Sequence, residues 1–329
     1  MRMNRIAIIG AGSIGGLIGA RLAALGAHEV SALARGATLQ GLQTQGWRLH
    51  SPDGDVQVAA KASSDATELG VQDVVIIAVK GPALATLAPQ LAPLLGPDTL
   101  IVPAMNGVPW WFCQRVPGFE GVRLSSIDPD GVISRYLPMD QVIGCVVHAS
   151  ASTPAPGVVH HRMGRGLILG EPWGGRSARV QGLCDVLGAA GFEVTHSDQV
   201  RRDIWYKLWG NLTMNPVSAL TGTTMDHVLN DPLLREFCSQ AMREAAKIGA
   251  RLDCPVPQSP EERHAITAKL GAVKTSMLQD VEAGRAIELD AIVTVVHEIG
   301  QRLGEPMPAI GSLLGLTRVM ARQRGLYRA

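Results

Sequence analysis

The sequence predicts an α/β protein, with a doubly wound parallel sheet in its first half and an all-α second half. Three features predict it. Short apolar runs alternate with helical stretches up to about residue 197, a glycine-rich turn follows the first run, and from residue 198 the pattern lengthens into helical periods. A chain of 329 residues suits about two domains, expected here as 1–197 and 198–329.

Each element follows from its local pattern. Arg5–Ile9 is a short apolar run that meets glycines, as a buried parallel strand does. Residues 13–25 read as a helix capped by Gly26, and 29–34 as the second strand. Residues 71–79 and 99–105 are two more apolar, β-branched runs, with a helical stretch at 83–95 between them. This βαβ alternation is what specifies the parallel sheet. Residues 141–151 read as a strand, 157–163 and 166–170 as two strands of a hairpin, 177–190 as a helix, and 193–196 as a last short strand. In the second half, 201–220 is helical, with Pro216 expected to kink or interrupt it. Residues 231–251 form another helix. Ser259-Pro260-Glu261-Glu262 is a start signal with a serine N-cap, proline at the first helical position and glutamate at the third. Helical patterns at 289–303 and 307–322 close the chain.

Composition narrows the function classes. Thirty Lys and Arg oppose 29 Asp and Glu, a net charge of +1, where a nucleic-acid binder would carry a basic excess. Hydrophobic residues make up 46%, enough for a packed core. The five cysteines, Cys113, Cys145, Cys184, Cys238 and Cys254, are scattered and odd in number. That is the usage of a reducing compartment rather than a disulfide framework or a zinc site. His160 and His161 are adjacent, so on a strand they face opposite sides and cannot chelate one ion; no metal is expected. Arg2 and Arg5 before an uncharged stretch mimic a signal peptide. The glycines in that stretch and its shortness suit a nucleotide loop better than a membrane segment. The expected location is cytoplasmic.

Gly10-Ala11-Gly12-Ser13-Ile14-Gly15 fits G-x-G-x-x-G between a strand and a helix. There the glycines allow a tight turn, and a pyrophosphate can reach the helix N-terminus, where free N–H groups and the dipole favour negative charge. This makes the first domain Rossmann-type. Where an NAD-binding strand ends in an acidic residue, the second strand here runs to Arg35. Arg35 would neutralise a 2′-phosphate, which favours NADP(H); the alternative is a solvated loop arginine. Lys80 and Asn106 stand where the third and fourth strands end, the edge at which open α/β sheets bind ligands. In the second half Lys207, Asn211 and Asn215 recur at i, i+4 and i+8, so they share one helix face. Their neighbours Ile204, Leu208, Trp209, Leu212 and Met214 are apolar. A lysine and two asparagines in such surroundings are costly without partners, and a desolvated lysine can donate a proton near neutral pH.

Taken over most of its length, the chain resembles the ketopantoate reductase (2-dehydropantoate 2-reductase) family. The resemblance rests on the glycine loop, Val79-Lys80, Asn106-Gly107 and Lys207-x-x-x-Asn211-x-x-x-Asn215-Pro216, and on residues 274–280 (KTSMLQD) followed by Glu288. It implies a Rossmann domain and a helical domain with NADPH and a 2-oxo acid in the cleft between them. It implies Lys207 as the acid that protonates the ketone oxygen as hydride arrives, and Glu288 as the carboxylate that contacts the nascent hydroxyl and orients the lysine. Asn211, Asn215 and Ser276 would hold substrate, Asn106 would lie near nicotinamide and substrate, and a homodimer would be in keeping with the family. After Asn106-Gly107 the chain departs from the family's shorter segment with Val108-Pro109-Trp110-Trp111-Phe112, running on to Gly131. These aromatics either border a cavity for a larger or more apolar 2-oxo acid or serve as packing. Three functions are thus weighed: reduction of 2-dehydropantoate, reduction of another branched or aromatic 2-oxo acid, and non-catalytic NADP sensing. A sensor has no use for a buried proton donor.

Overall fold

The computed structural model describes residues 3–327. They form two compact units, one comprising residues up to Met105 with Asp130–Asp203, the other Asn106–Pro129 with the residues from Ile204 onward. The expected single break near residue 198 is thus crossed by one excursion, because 106–129 belongs with the helices.

In chain order the first unit contains β1 (Arg5–Ile9), α1 (Ser13–Ala24), β2 (Glu29–Leu33), α2 (Gly36–Gln45), β3 (Trp47–His50), β4 (Val56–Val58) and β5 (Lys61–Ser63). Next come α3 (Ala66–Leu69), β6 (Gln72–Ile77), α4 (Gly81–Leu87) and β7 (Leu95–Pro103). After the excursion it resumes with α5 (Val132–Tyr136), β8 (Gly144–Ala155), β9 (Val158–Gly170), α6 (Ala178–Ala189) and β10 (Glu193–Ser197). Five strands pair in parallel in the order β5-β2-β1-β6-β7. Ile6 to Ile9 of β1 and Val74 to Ile77 of β6 are buried, as strands covered on both faces should be. The chain steps outward from β1 to β2 and β5, then returns to β6 on the other side of β1, so the strand order reverses there.

A second sheet, in the order β10-β9-β3-β4 with β8 also on β9, takes up the expected strands near 141–151, 157–170 and 193–196 and adds two that were not expected, β3 and β4. β3 and β4 are three or four residues long and β3 pairs with β9, more than 100 positions away, so no local period announces them. β9 also corrects the expected hairpin at 157–170. It is one strand, antiparallel to β8, and its glycines sit at register irregularities rather than at a turn. Helix α1 packs against both sheets. Glycine makes a poor helix interior, but here it permits close approach: a Cβ at Gly15 would lie 2.1 Å from the Gly10 carbonyl oxygen, and one at Gly19 would lie 2.4 Å from the Trp47 ring.

The second unit is helical: α7 (Val200–Thr221), which begins at the end of the first unit, α8 (Met225–Asn230), α9 (Pro232–Arg251), α10 (Pro260–Ala268), α11 (Ser276–Glu282), α12 (Val295–Leu303) and α13 (Pro308–Gln323). Helix α7 runs unbroken through Pro216. The lost ladder bond is outweighed by burial of Leu212, Met214, Val217 and Ala219 around it. The start of α10 carries the full reciprocal box: Ser259 accepts from the Glu262 N–H, and Glu262 accepts from the Ser259 N–H. Immediately before α12, Asp290–Thr294 forms a π-helical turn, a rare geometry that concentrates at functional places. No helix among the described residues is long and apolar enough to cross a membrane.

Candidate active site

Gly10, Gly12, Ser13, Arg35 and Lys80, all expected to bind cofactor, follow the carboxyl ends of β1, β2 and β6 in the parallel sheet. Gly10 follows β1 with φ +86°, and a Cβ there would meet Val79 at 2.6 Å. Gly12 is the N-cap residue of α1, nothing would obstruct a Cβ on it, and no acidic residue occupies the first turn. An anion can therefore approach the free N–H groups of α1 closely. Ser13 exchanges a hydrogen bond of 3.1 Å with Thr153. Arg35, two residues past β2, is the N-cap residue of α2; it is exposed, and its guanidinium makes no hydrogen bond or ion pair among the described residues. Lys80 is the half-buried N-cap residue of α4.

In the second unit the fold brings together residues far apart in sequence. Lys207, half-buried on α7, donates from Nζ to Asn106 Oδ1 at 2.8 Å. The other end of that amide, Nδ2, donates to Glu288 Oε2 at 3.4 Å. This order has a consequence. Glu288 can only accept, so it draws the NH2 group of Asn106 toward itself and leaves the carbonyl oxygen facing the ammonium. Of the three ammonium protons one is spent on Asn106, and the carboxylate thereby fixes the lysine through the amide.

Asn106 is itself held by backbone. Gly107 has φ +85°, and its α-carbon lies so close to the π-turn that a Cβ would fall 2.2 Å from the Ala291 carbonyl oxygen. The same oxygen accepts the Val108 N–H at 2.8 Å. The glycine after the asparagine is thus required both by conformation and by space. In the sequence Gly107 stands out only as part of the Asn106-Gly107 motif, and nothing local to Ala291 signals its role.

The remaining polar residues of α7 differ in setting. Asn211 is half-buried, and its side chain makes no hydrogen bond among the described residues. Asn215 is buried, with Nδ2 lacking a hydrogen-bond partner, an arrangement that costs free energy unless a ligand or water completes it. Ser276 is exposed at the first position of α11, next to Thr275, whose hydroxyl caps the helix by accepting the Leu278 N–H. Neither Asn211, Asn215 nor Ser276 is hydrogen-bonded to the Lys207–Asn106–Glu288 group.

The aromatic stretch after Asn106 lies inside the second unit. Trp110, Trp111 and Phe112 are buried, and the Phe112 ring stacks on Trp205 of α7 at 5.8 Å. The far end of the excursion is fastened by Glu298 of α12. Its carboxylate accepts the backbone N–H groups of Ser125 at 2.9 Å and Ser126 at 3.0 Å, together with both serine hydroxyls. Burial pushes the Glu298 pKa up, but the Ser126 and Ser125 hydrogen bonds outweigh it and hold the carboxyl below its ordinary value. A carboxylate with a lowered folded pKa stabilises above its unfolded value and loses that contribution as pH falls through the folded one. We therefore expect Glu298→Ala to cost about 2–3 kcal/mol in denaturant unfolding at neutral pH. The gap between variant and wild type should close in acid, below about pH 4. A gap that persists in acid would show that the carboxylate charge is not what holds the segment.

Comparison with known proteins places the chain among oxidoreductases acting on CH–OH groups. It is 42% identical over 324 residues to the 2-dehydropantoate 2-reductase of Mesorhizobium japonicum, covering 98% of this chain and 99% of that one. The chain belongs to the ketopantoate reductase PanE/ApbA family: the family's description matches residues 6–173, and that of its C-terminal part matches 199–321. Among solved structures, a candidate ketopantoate reductase from Ralstonia solanacearum MolK2 is 51% identical with a TM-score of 0.95, covering 99% of this chain and 100% of that one. A D-mandelate dehydrogenase in ternary complex with NADH and anilino(oxo)acetate shares the fold at 20% identity and a TM-score of 0.84, covering 98% and 99%.

Proposed function

We propose that this protein reduces 2-dehydropantoate to pantoate with NADPH, the reductive step that serves pantothenate synthesis. The observation that carries the reading is the hydrogen-bonded order Lys207–Asn106–Glu288, with the lysine 2.8 Å from the amide oxygen. The 42% identical relative, a 2-dehydropantoate 2-reductase, supports the substrate. Bound NADPH would supply the hydride. The chain's own residues would do the rest. Lys207 gives a proton to the ketone oxygen as negative charge develops there, and Asn106 and Glu288 keep the ammonium aimed. Asn211, the buried Asn215 amide and the Ser276 hydroxyl are the neutral donors available for the substrate's carboxylate and hydroxyl groups. At the sheet edge, the uncrowded N-terminus of α1 and the Gly10–Gly15 turn suit a pyrophosphate, and Lys80 stands at the same edge. The unengaged Arg35 guanidinium suits a 2′-phosphate.

The test is nicotinamide oxidation with a panel of 2-oxo acids, where kcat/KM should be highest for 2-dehydropantoate. A higher value for a larger aromatic acid would overturn the substrate. Binding of NADPH with no turnover of any acid would favour a sensor. For the cofactor, Arg35→Ala should raise KM for NADPH about 10- to 100-fold, the worth of one charge-assisted contact, and leave KM for NADH nearly unchanged. Equal effects on both cofactors would refute a role at the 2′-phosphate.

A further inference from the structure

The end of the described chain returns to the segment that carries Glu288. Three contacts from distant parts of the second unit converge on five consecutive residues. The Ile287 N–H donates to the Leu326 carbonyl oxygen at 3.1 Å. The Tyr327 hydroxyl donates to Asp290 Oδ1 at 2.6 Å. The Ala291 carbonyl oxygen, as described, accepts the Val108 N–H. Glu288 sits in the middle of this run. Its flanking residues Ile287 and Leu289 are fully buried, as is Leu326 almost completely, so the segment is anchored by apolar side chains and fastened at both ends by hydrogen bonds.

We propose that the C-terminal residues Leu326 and Tyr327 are a positioning clasp for Glu288, with the Tyr327 hydroxyl setting where that carboxylate meets Asn106. The proposal rests on the catalytic reading of Lys207, Asn106 and Glu288 given above. Tyr327 touches none of those three groups. It acts through Asp290, two residues beyond Glu288 and the first residue of the π-turn. The chemistry suits a permanent clasp. Burial raises the phenol pKa, and the hydrogen bond to Asp290 raises it further, to about 12, so the hydroxyl keeps its proton and remains a donor through the working range. Arg322, near the end of α13, has its guanidinium 5.8 Å from the centre of the Tyr327 ring. A π-helical turn, with its i→i+5 bonds, is a rare geometry in the helix that follows Glu288, and two contacts from outside it reach its first two residues. Tyr327 makes the one to Asp290 and Val108 the one to Ala291.

The experiment is a double-mutant cycle between Tyr327→Phe and Glu288→Gln on the full-length enzyme, read as kcat and KM. Tyr327→Phe should lower kcat about tenfold with KM for the 2-oxo acid changed less than about twofold, because a small misplacement penalises the reacting geometry first. On the Glu288→Gln background the same change should lower kcat no further. Asp290→Asn, which retains an oxygen to accept the phenol proton, should keep most of the activity, whereas Asp290→Ala should match Tyr327→Phe. Wild-type kcat in Tyr327→Phe, or a tenfold loss that repeats in full on the Glu288→Gln background, would overturn the clasp. A Glu288→Gln enzyme as fast as wild type would instead overturn the catalytic reading of Glu288 itself, and the clasp with it. Thermal midpoints of all four proteins separate a folding defect from a positioning one: if Tyr327→Phe lowered the midpoint while its kcat loss stayed additive, the tyrosine would be structural only.

Discussion

Replacing Lys207 by alanine lowers kcat by at least about 100-fold if the lysine is the general acid, the ordinary worth of a positioned proton donor. The geometry makes the expectation specific. Lys207 is the one cationic side chain hydrogen-bonded to Asn106 among the described residues, and Glu288 meets that amide from its other end. Removing the ammonium leaves the Asn106 oxygen without its donor and the ketone oxygen without a proton. A more pointed variant is Lys207→Arg. The guanidinium keeps the positive charge and can still hydrogen-bond, but it does not give up a proton in a protein. If Lys207 serves only to bind an anion electrostatically, Lys207→Arg retains most of the rate. If it transfers a proton, Lys207→Arg falls nearly as far as Lys207→Ala. Measured kcat values for the two variants, alongside unfolding curves showing that both are folded, decide between these roles. Near-normal turnover by Lys207→Ala would refute acid catalysis outright.

How much of this was legible in the sequence depends on how local each signal is. The βαβ alternation and the glycine turn after β1 are written into consecutive residues, because a strand buried on both faces must be apolar throughout and the turn must be glycine. The i, i+4, i+8 spacing of Lys207, Asn211 and Asn215 is equally local, since α7 sets it. In the second sheet β8, β9 and β10 were legible as strands, but β3 and β4 were not, for the opposite reason: they are too short to show a period, and they pack on α1 and β9. Pro216 signals a kink or interruption by propensity alone, which tertiary burial here outweighs. The aromatic run at 110–112 leaves two readings open in the sequence, and the stacking of Phe112 on Trp205, distant in the chain, supports packing for that ring. At the site, Asn106 is marked by its place at a strand end and Glu288 only through resemblance; their meeting across 182 positions is a property of the fold that no spacing rule contains. Ala291, Asp290 and Tyr327 carried no signal, because what they contribute is a carbonyl, a turn and a single hydroxyl.

Gly107→Ala tests whether that long-range assembly matters, and we expect both stability and rate to suffer. A methyl group at this position would lie 2.2 Å from the Ala291 carbonyl oxygen and 2.6 Å from its carbon. Those atoms are backbone of the π-turn, so no side-chain rotation relieves the contact. The φ of +85° adds strain for any residue with a Cβ. Together with a weakened Val108 N–H bond to Ala291, the cost should be about 2–4 kcal/mol in the unfolding of the second unit. The catalytic effect should be larger than such a loss suggests. If the chain gives way by moving Asn106, the amide no longer bridges Lys207 and Glu288, and displacements near 1 Å commonly cost about 100-fold in rate. Relief could come instead from the π-turn, but that would carry Glu288 away from the same amide, so either route breaks the bridge. A Gly107→Ala enzyme of reduced stability but wild-type kcat would show that the bridge does not govern the chemical step. Loss of rate in step with Asn106→Ala, with no further loss in the double variant, would establish that the glycine acts through the asparagine it follows.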